Sequence, residues 1–357
     1  MATYRNLVFK GGGVRGIAYL GAMDRLYRNG LMRRIERTAG TSAGAITATV
    51  VALNYPRFED LKAVADSLEY RRVPSKGDLP AKQAALLKKS PLLLQRQFQG
   101  LSANMQCSLR FLQEKGWYSS QYLYGWLRDL IAGRFAVRKD AYTFRDFRDA
   151  GLHVEGRPFL DLYVTGTDIS NRTSRVFSYD TTPDMEVALA VRISMSIPIF
   201  FESVEFRYPG TAEPQLYADG GIMWNYPIGL FDGPSFSKKP GANPETLGLF
   251  VFHTPTDADS RGVRNTVQYV GALFETLLLV QERLVLQEER RRGRTIFIDD
   301  GGIASTDFDV EPGDASYLRL YRSGEAAAEE FCADGRKHGE RLIRSIQEVF
   351  GWKGAED

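Results

Sequence analysis

The stretch Gly40-Thr41-Ser42-Ala43-Gly44 has the pattern G-x-S-x-G, which is the sequence of a nucleophile elbow. An elbow of this kind is a sharp strand-to-helix turn that presents a serine hydroxyl at the edge of a sheet. Small residues on both sides of Ser42 allow a tight turn and let a substrate carbonyl approach the hydroxyl. Ordinary turns also contain such residues, so the meaning of the pattern depends on the sequence around it.

The flanking segments alternate between predicted strands and helices. The apolar run Asn6–Phe9 ends at glycines, and apolar residues then recur at helical spacing over residues 17–29. A second strand is predicted at residues 35–39, and residues 45–53 are apolar on nearly all sides, as in a buried helix. Further strands are predicted at residues 161–165, 175–178, 203–208, 215–218, 246–253 and 295–298, and further helices at 185–194, 265–292 and 324–350. This alternation predicts an α/β fold with a mainly parallel sheet and helices on both faces.

The length of 357 residues fits one large domain or two ordinary ones. We predict a single domain, 1–357, with strand and helix elements over residues 245–350. Residues 57–136 look helical and mostly lack strand signals, so we expect a cap-like helical insertion there. Residues 234–244 are rich in Ser, Lys, Gly, Asn and Pro, which indicates a surface loop rather than a domain boundary.

Composition narrows the class of protein. The net charge is +2, which gives no indication of a nucleic acid partner. The three histidines, including His253, are widely scattered, and we expect no metal site. Cys107 and Cys332 are far apart, which favours reduced thiols and a reducing compartment. The first residues contain no apolar segment of a conventional signal peptide, and no run approaches 18 apolar residues.

The first glycine loop allows a dinucleotide-binding interpretation. Gly11, Gly13 and Gly16 satisfy G-x-G-x-x-G between a predicted strand and a predicted helix. A ribose-binding acidic residue should then follow at the end of the second strand, where the elbow stands instead. Glu36 has about the right spacing but falls inside the predicted strand.

A second interpretation is an α/β-hydrolase with a Ser42-Asp219-His253 triad, because this order is the one that fold uses. Two observations oppose it. Ser42 precedes the several strands that normally come before that fold's elbow. His253 ends an apolar strand, where a hydrogen-bonded core histidine is the more common case.

A third interpretation needs only Ser42 and Asp219. A carboxylate can activate a serine directly as a general base when it is within hydrogen-bond reach and partly desolvated. Two glycines, Gly220 and Gly221, follow Asp219 and let the backbone turn to present its side chain. The amides of Gly11, Gly12 and Gly13 would supply an oxyanion hole at a helix N-terminus. Arg15 would either add positive charge there or hold the loop in place.

The motifs together resemble those of the patatin-like phospholipase family, and further stretches resemble its bacterial branch. The motifs are G-G-G-x-R-G at Gly11–Gly16, G-x-S-x-G at Gly40–Gly44 and D-G-G at Asp219–Gly221. The further stretches are Thr165-Gly166-Thr167-Asp168, Ser194-Met195-Ser196-Ile197-Pro198, Asn225-Tyr226-Pro227 and Thr306-Asp307-Phe308. The resemblance covers nearly the whole chain and is weakest over residues 57–136.

The resemblance implies a three-layer α/β/α fold and a Ser–Asp dyad that uses no metal or cofactor. By position, Ser42 is the nucleophile and Asp219 the base, with the amides of Gly11–Gly13 as oxyanion hole and Arg15 beside it. The remaining motif glycines are Gly16, Gly40, Gly44, Gly220 and Gly221. One departure is Lys10, because the family's glycine loop often begins with Asp.

The resemblance implies a lipid acyl hydrolase that acts on phospholipids, lysophospholipids or other acyl-ester lipids. We expect peripheral membrane contact, for which the mixed apolar and basic residues 81–115 are the candidate surface. The more common case for such a stretch is a helical insertion that packs on the core and has a solvated basic face. An activator of unknown identity is compatible with the family. We predict a cytoplasmic protein peripheral to membranes, with secretion as a bacterial effector as the alternative. A lipid-binding or scaffold protein of the same fold without turnover is the non-enzyme alternative.

Overall fold

The computed structural model of the chain describes residues 3–75, 115–253 and 266–334. The strands in these ranges are β1 (Asn6–Phe9), β2 (Arg37–Gly40), β3 (Gly116–Tyr118), β4 (Asp161–Asp168), β5 (Thr173–Phe177), β6 (Ile199–Phe201), β7 (Val204–Phe206), β8 (Gln215–Asp219), β9 (Thr246–Phe252) and β10 (Thr295–Asp299). The helices are α1 (Ile17–Arg28), α2 (Ala43–Ala52), α3 (Phe58–Asp66), α4 (Gln121–Ala132), α5 (Phe144–Arg148), α6 (Val187–Ser194), α7 (Gly221–Trp224), α8 (Thr266–Gln287), α9 (Glu289–Arg292) and α10 (Ala315–Asp334).

The central sheet has the strand order β10-β9-β1-β2-β4-β8-β7, and β5 pairs with β4 outside this path. Strands β10, β9, β1, β2 and β4 are parallel to their neighbours in this series. Strands β5, β7 and β8 add antiparallel pairs, and β3 and β6 form a separate parallel pair. The predicted mainly parallel sheet is confirmed.

Helices cover both faces of this sheet. Successive residues of a strand point to opposite faces, so neighbouring residues of β1 join different apolar clusters. On β1, Leu7 and Phe9 join an apolar cluster with residues of α1, α2 and α10. Val8 faces the other way and joins a second cluster that includes Phe250 of β9 and Val285 of α8. The fold is therefore a three-layer α/β/α arrangement.

Two predicted helix boundaries were wrong. The last helix begins at Ala315 rather than at residue 324, because Asp314 accepts hydrogen bonds from the N–H groups of Tyr317 and Glu311 and so caps the helix. The predicted helix over residues 265–292 is two helices, α8 and α9, that are separated at Glu288.

The predicted insertion at residues 57–136 is described only at its two ends, and they contain the strand β3 as well as the helices α3 and α4. Residues 76–114, and with them nearly all of the predicted membrane surface at 81–115, lie outside the described residues. The predicted helical residues 335–350 do so as well. Among the described helices, none combines the length and the apolar character needed to cross a bilayer.

The register of the sheet brings the motifs to one edge. Strands β1 and β2 are parallel and end together, because Phe9 pairs with Gly40. Strand β4 pairs with Gly40 through Val164 and with Asp219 through Gly166, two residues further along. The glycine loop, the elbow and the end of β8 therefore meet at the carboxyl edge of the parallel strands, where ligands of open α/β sheets bind.

Candidate active site

Ser42 lies on the tight turn between β2 and α2. Its backbone φ and ψ angles are 54° and −125°, a conformation that L-residues rarely adopt and that costs about 1–3 kcal/mol. The flanking glycines permit the turn, since a Cβ on Gly40 would lie 2.1 Å from the Gly44 carbonyl oxygen and one on Gly44 would lie 2.3 Å from the Phe9 carbonyl oxygen. The Ser42 N–H donates to Ser194 Oγ at 2.9 Å, which ties the turn to α6.

Asp219 is the last residue of β8 and is buried. Its N–H donates to the Ser196 carbonyl at 2.8 Å, and its own carbonyl accepts from Thr167 Oγ1 at 2.8 Å. Carboxylate Oδ1 accepts from the Gly221 N–H at 2.6 Å, whereas Oδ2 has no hydrogen-bond partner among the described residues. The Ser42 hydroxyl is close enough to lower the pKa of this carboxyl, without forming a hydrogen bond of ordinary geometry.

The net effect on the Asp219 carboxyl is a raised pKa. Burial raises it from the usual 3.8 to about 7, against the smaller opposing effects of the Ser42 hydroxyl and the Gly221 N–H. A base with a pKa near the working pH combines a large charged fraction with a strong tendency to take a proton. The environment of Asp219 therefore suits proton transfer at neutral pH.

The glycine loop joins β1 to a 3-10 turn at Gly13–Gly16. The Gly11 N–H donates to the Asn225 carbonyl at 3.0 Å, so it is already used within the protein. In the described part of the chain, the N–H groups of Gly12 and Gly13 donate to no acceptor. Gly13 has a positive φ of 59°, and a Cβ there would lie 2.0 Å from the Ser305 carbonyl oxygen. Because the Gly11 N–H is used within the protein, the candidate oxyanion donors are the amides of Gly12 and Gly13 rather than all three predicted amides.

The other motif glycines differ in how tightly they are packed. A Cβ on Gly220 would lie 2.5 Å from Thr165 Oγ1, and one on Gly221 would lie 2.9 Å from Asp219 Oδ1. A Cβ on Gly16 would make only an ordinary contact, 3.5 Å from the Cβ of Ala43. Gly220 also meets the Thr165 backbone carbonyl at 2.6 Å and is therefore sterically required. A side chain on Gly221 would displace the Asp219 carboxylate, whereas one on Gly16 would disturb nothing.

Arg15 and His253 are both bound to the buried carboxylate of Asp300. Arg15 Nε lies 3.0 Å from Asp300 Oδ2 and donates to the Ile303 carbonyl at 2.9 Å. His253 Nδ1 lies 3.0 Å from Asp300 Oδ1. These contacts attach the glycine loop to Asp300 and Ile303, and they favour the second of the two predicted roles of Arg15. The pairing of the His253 imidazole with Asp300 argues against the Ser42-Asp219-His253 arrangement.

Glu36 does not complete a dinucleotide site. It directly precedes β2 and is paired with Arg5 at 2.6 Å on the surface. That position is at the amino end of the strand, whereas the glycine loop follows the carboxyl end of the neighbouring parallel strand β1. A ribose bound at the loop could not reach it.

A cavity of about 410 Å³ lies above Ser42 and Asp219. Residues of the glycine loop, of α8 and of the segment 302–306 form its walls together with Asn225 and His253. Its apolar lining comes from Ile197, Pro198, Ile199, Phe200, Phe274, Leu278, Leu279 and Ile303. Ser42, Asp219 and the free amides of Gly12 and Gly13 therefore share one largely apolar cavity, which suits an acyl chain.

The sequence profile of the patatin-like phospholipase family matches residues 7–232 and thus more than half of the chain. The chain belongs to this family. The match includes the glycine loop, the elbow and Asp219.

Comparisons with relatives and solved structures give further similarities. The uncharacterized protein YqhO of Bacillus subtilis is 29% identical over 312 residues, which cover 85% of this chain and 90% of YqhO. The probable lipid hydrolase 463L of Invertebrate iridescent virus 6 is 26% identical, with 64% and 63% of the two chains covered. The crystal structure of VipD from Legionella pneumophila shares the fold, with a TM-score of 0.51 and 18% identity over 93% of this chain and 67% of VipD.

Two residues next to the site had no predicted role. Ser194 accepts from the Ser42 N–H, and the Asn225 backbone and side chain both bond to Gly11, the latter at 3.4 Å. Both lie in stretches that resemble the bacterial branch of the family, so a signal existed in the sequence although it named no contact. The described residues contain no group of three or more His, Cys, Asp or Glu side chains placed to hold a metal ion.

Proposed function

We propose that the chain is a serine acyl hydrolase that cleaves fatty acyl esters of phospholipids or lysophospholipids. The observation that carries the proposal is the position of Ser42 beside Asp219. Ser42 stands on a strained elbow, and the nearby carboxylate is buried, has a pKa of about 7 and has one oxygen without a partner. The family to which the chain belongs and the apolar cavity support a lipid ester as the substrate class.

In the first half-reaction, Ser42 Oγ attacks the ester carbonyl carbon while its proton passes to Asp219 Oδ2. The carbonyl oxygen becomes an oxyanion that accepts hydrogen bonds from the N–H groups of Gly12 and Gly13. The bond to the alcohol oxygen then breaks, and that oxygen takes the proton from Asp219 as the alcohol leaves. The acyl group remains as an ester of Ser42.

In the second half-reaction, water attacks the acyl-enzyme carbonyl and gives its proton to Asp219. The same two amides hold the oxyanion. The bond to Ser42 Oγ breaks, the proton returns to that oxygen and the fatty acid is released. The proposal therefore uses Ser42 as nucleophile and Asp219 as general base, and it assigns His253 no proton transfer.

A fluorophosphonate probe and product analysis test this function together. We expect the wild-type protein to be labelled at Ser42 and to release fatty acid from a total lipid extract, as measured by mass spectrometry. Ser42→Ala should lose both labelling and release while remaining folded. Well-folded wild-type protein that is neither labelled nor active would contradict the proposal and favour the non-catalytic lipid-binding alternative.

The proposal extends to partners and location. A lipid substrate implies peripheral contact with a membrane, and the family relationship is compatible with an activator that has yet to be identified. We place the protein in the cytoplasm, peripheral to membranes, with secretion as an effector as the second candidate. Fractionation of the native cells and their medium separates the two locations.

A further inference from the structure

Helix α8 has an apolar stripe on its outer face. Its members are large side chains that are between 47% and 60% exposed, namely Tyr269, Leu273, Leu277, Val280 and Leu284. Spacings of three and four residues place all five on one side of the helix, and at 1.5 Å per residue they extend over roughly 22 Å. Soluble monomers rarely expose continuous apolar surface of this kind unless it binds something.

The opposite side of α8 is apolar as well. Phe274, Leu278 and Leu279 line the cavity above Ser42, and Val285 is buried in the core. A helix that is apolar on two opposite sides needs two apolar environments. The protein interior supplies one of them. The outer side of α8, which we call the α8 stripe, still needs the other.

Polar contacts hold α8 against the candidate active site. Gln281 Nε2 donates to the Gly221 carbonyl at 2.7 Å, and Gln281 Oε1 accepts from the Asn225 N–H at 2.9 Å. Glu282 Oε1 lies 2.7 Å from Lys10 Nζ at the start of the glycine loop. The stripe therefore has a fixed position beside the wall of the cavity.

We propose that the α8 stripe docks on a lipid surface. The proposal rests on the proposed function, because a lipid acyl hydrolase takes its substrate from such a surface. A bilayer that covers the stripe lies against the same helix that lines the cavity, so docking brings lipid acyl chains to the site. The α8 stripe is a different surface from residues 81–115, which the sequence analysis gave as the candidate membrane surface.

The chemistry of the stripe favours lipid over a protein partner. Four of its five members are aliphatic, and helical spacing places the exposed Arg283 at the border of the face and not within it. The acidic residues Glu275 and Glu282 lie on the cavity side of the helix. Tyr269 at one end is a residue type that is common where apolar and aqueous layers meet. A protein interface of this length would require a polar rim and specific hydrogen bonds, whereas a bilayer requires only apolar area and a tolerant edge.

Vesicle sedimentation in the Ser42→Ala background tests docking independently of turnover. The test variant combines Leu277→Glu with Val280→Glu, and the matched control combines Val137→Glu with Leu318→Glu at exposed positions elsewhere, 46% and 37% exposed. With phosphatidylcholine vesicles, we expect the partition coefficient of the test variant to fall by about tenfold or more and that of the control to change by less than about twofold. Circular dichroism and thermal melting confirm that both variants are folded.

A polarity-sensitive fluorophore on Leu277→Cys, in a Cys107→Ser and Cys332→Ser background, reports what covers the stripe. We expect a polar environment in buffer and an apolar one with vesicles. An apolar environment in buffer alone would overturn the proposal. If the fluorophore signal did not depend on protein concentration, the chain itself would cover the stripe. If the signal did depend on concentration, a second copy would cover it. Equal vesicle binding by the test variant and the parent would overturn it too, whereas the absence of ester hydrolysis would affect only the proposed function.

Discussion

Lys10 and Glu282 form a buried ion pair in the wall of the cavity, with Nζ and Oε1 2.7 Å apart. Lys10 Nζ also donates to the carbonyl groups of Val251 at 2.9 Å and Gly11 at 3.2 Å. Burial lowers the pKa of Lys10, and the carboxylate of Glu282 opposes this effect. Lys10, where the sequence resemblance led us to expect Asp, therefore joins the glycine loop to α8.

Glu282→Gln should destabilise the protein, because it leaves a buried ammonium group without its counter-charge. We expect a loss of about 3 kcal/mol in the free energy of unfolding, measured by denaturant titration. The double variant Lys10→Met, Glu282→Leu should recover most of this loss, since it removes both charges. Asp184→Asn breaks the exposed pair with Arg145 and should change the free energy of unfolding much less, because solvent screens both charges. Equal effects at the two sites would contradict the assigned role of the pair.

Ester hydrolysis should depend on the ionisation of Asp219. Only its carboxylate form accepts a proton, and burial raises its pKa to about 7. For a soluble short-chain ester, kcat/KM should therefore rise about tenfold per pH unit below about 7 and level off above it. Rates measured from pH 5 to pH 9 check this profile.

A variant of His253 separates the dyad from the triad. His253→Gln should keep a midpoint near pH 7, because the imidazole is paired with Asp300. Activity retained in folded Asp219→Asn and lost in His253→Gln would refute the dyad.

Removing the buried carboxylate should stabilise the fold. The native-state pKa of Asp219 is about 7 and the usual pKa is 3.8. This difference means that the native protein destabilises the charged form of Asp219 by roughly 4 kcal/mol. Because a new amide would be left partly unpaired, we expect a gain of about 1–3 kcal/mol for Asp219→Asn at pH 8. The Asp219 carboxyl keeps its proton up to about pH 7 in the native state, but only up to about pH 4 in the unfolded state. The gain should therefore be complete above pH 7 and vanish as the pH falls towards 4. Thermal melts at both pH values measure it, and a gain that persists at pH 4 would contradict this origin.

Local patterns in the sequence predicted the framework of the site. The run before the glycine loop became β1, because short apolar stretches bounded by glycines form strands in most surroundings. The segment before Ser42 became β2, as its position in front of the elbow predicts. The mainly parallel sheet followed from the alternation of elements. These features depend on residues that are near one another in the chain.

The contacts that hold the site were not predictable in this way. The Asn225 carbonyl takes the Gly11 amide, and Asp300 holds both Arg15 and His253, although these residues are far apart in sequence. Such pairs form only when parallel strands end at a common edge. No spacing in the chain distinguishes an amide that is used internally from one that is free.

Two glycines of the same loop should respond differently to alanine. Gly13→Ala places a Cβ 2.0 Å from the Ser305 carbonyl oxygen at a φ of 59°, so the loop must shift and move its free N–H groups. We expect at least about a hundredfold loss of kcat, in line with the removal of an oxyanion donor. Gly16→Ala makes only an ordinary contact 3.5 Å from the Ala43 Cβ and should lose less than about threefold. Fluorophosphonate labelling rates and melting temperatures are measured alongside the kinetics. If a folded Gly13→Ala protein reacted at the wild-type rate, these amides would not hold the oxyanion.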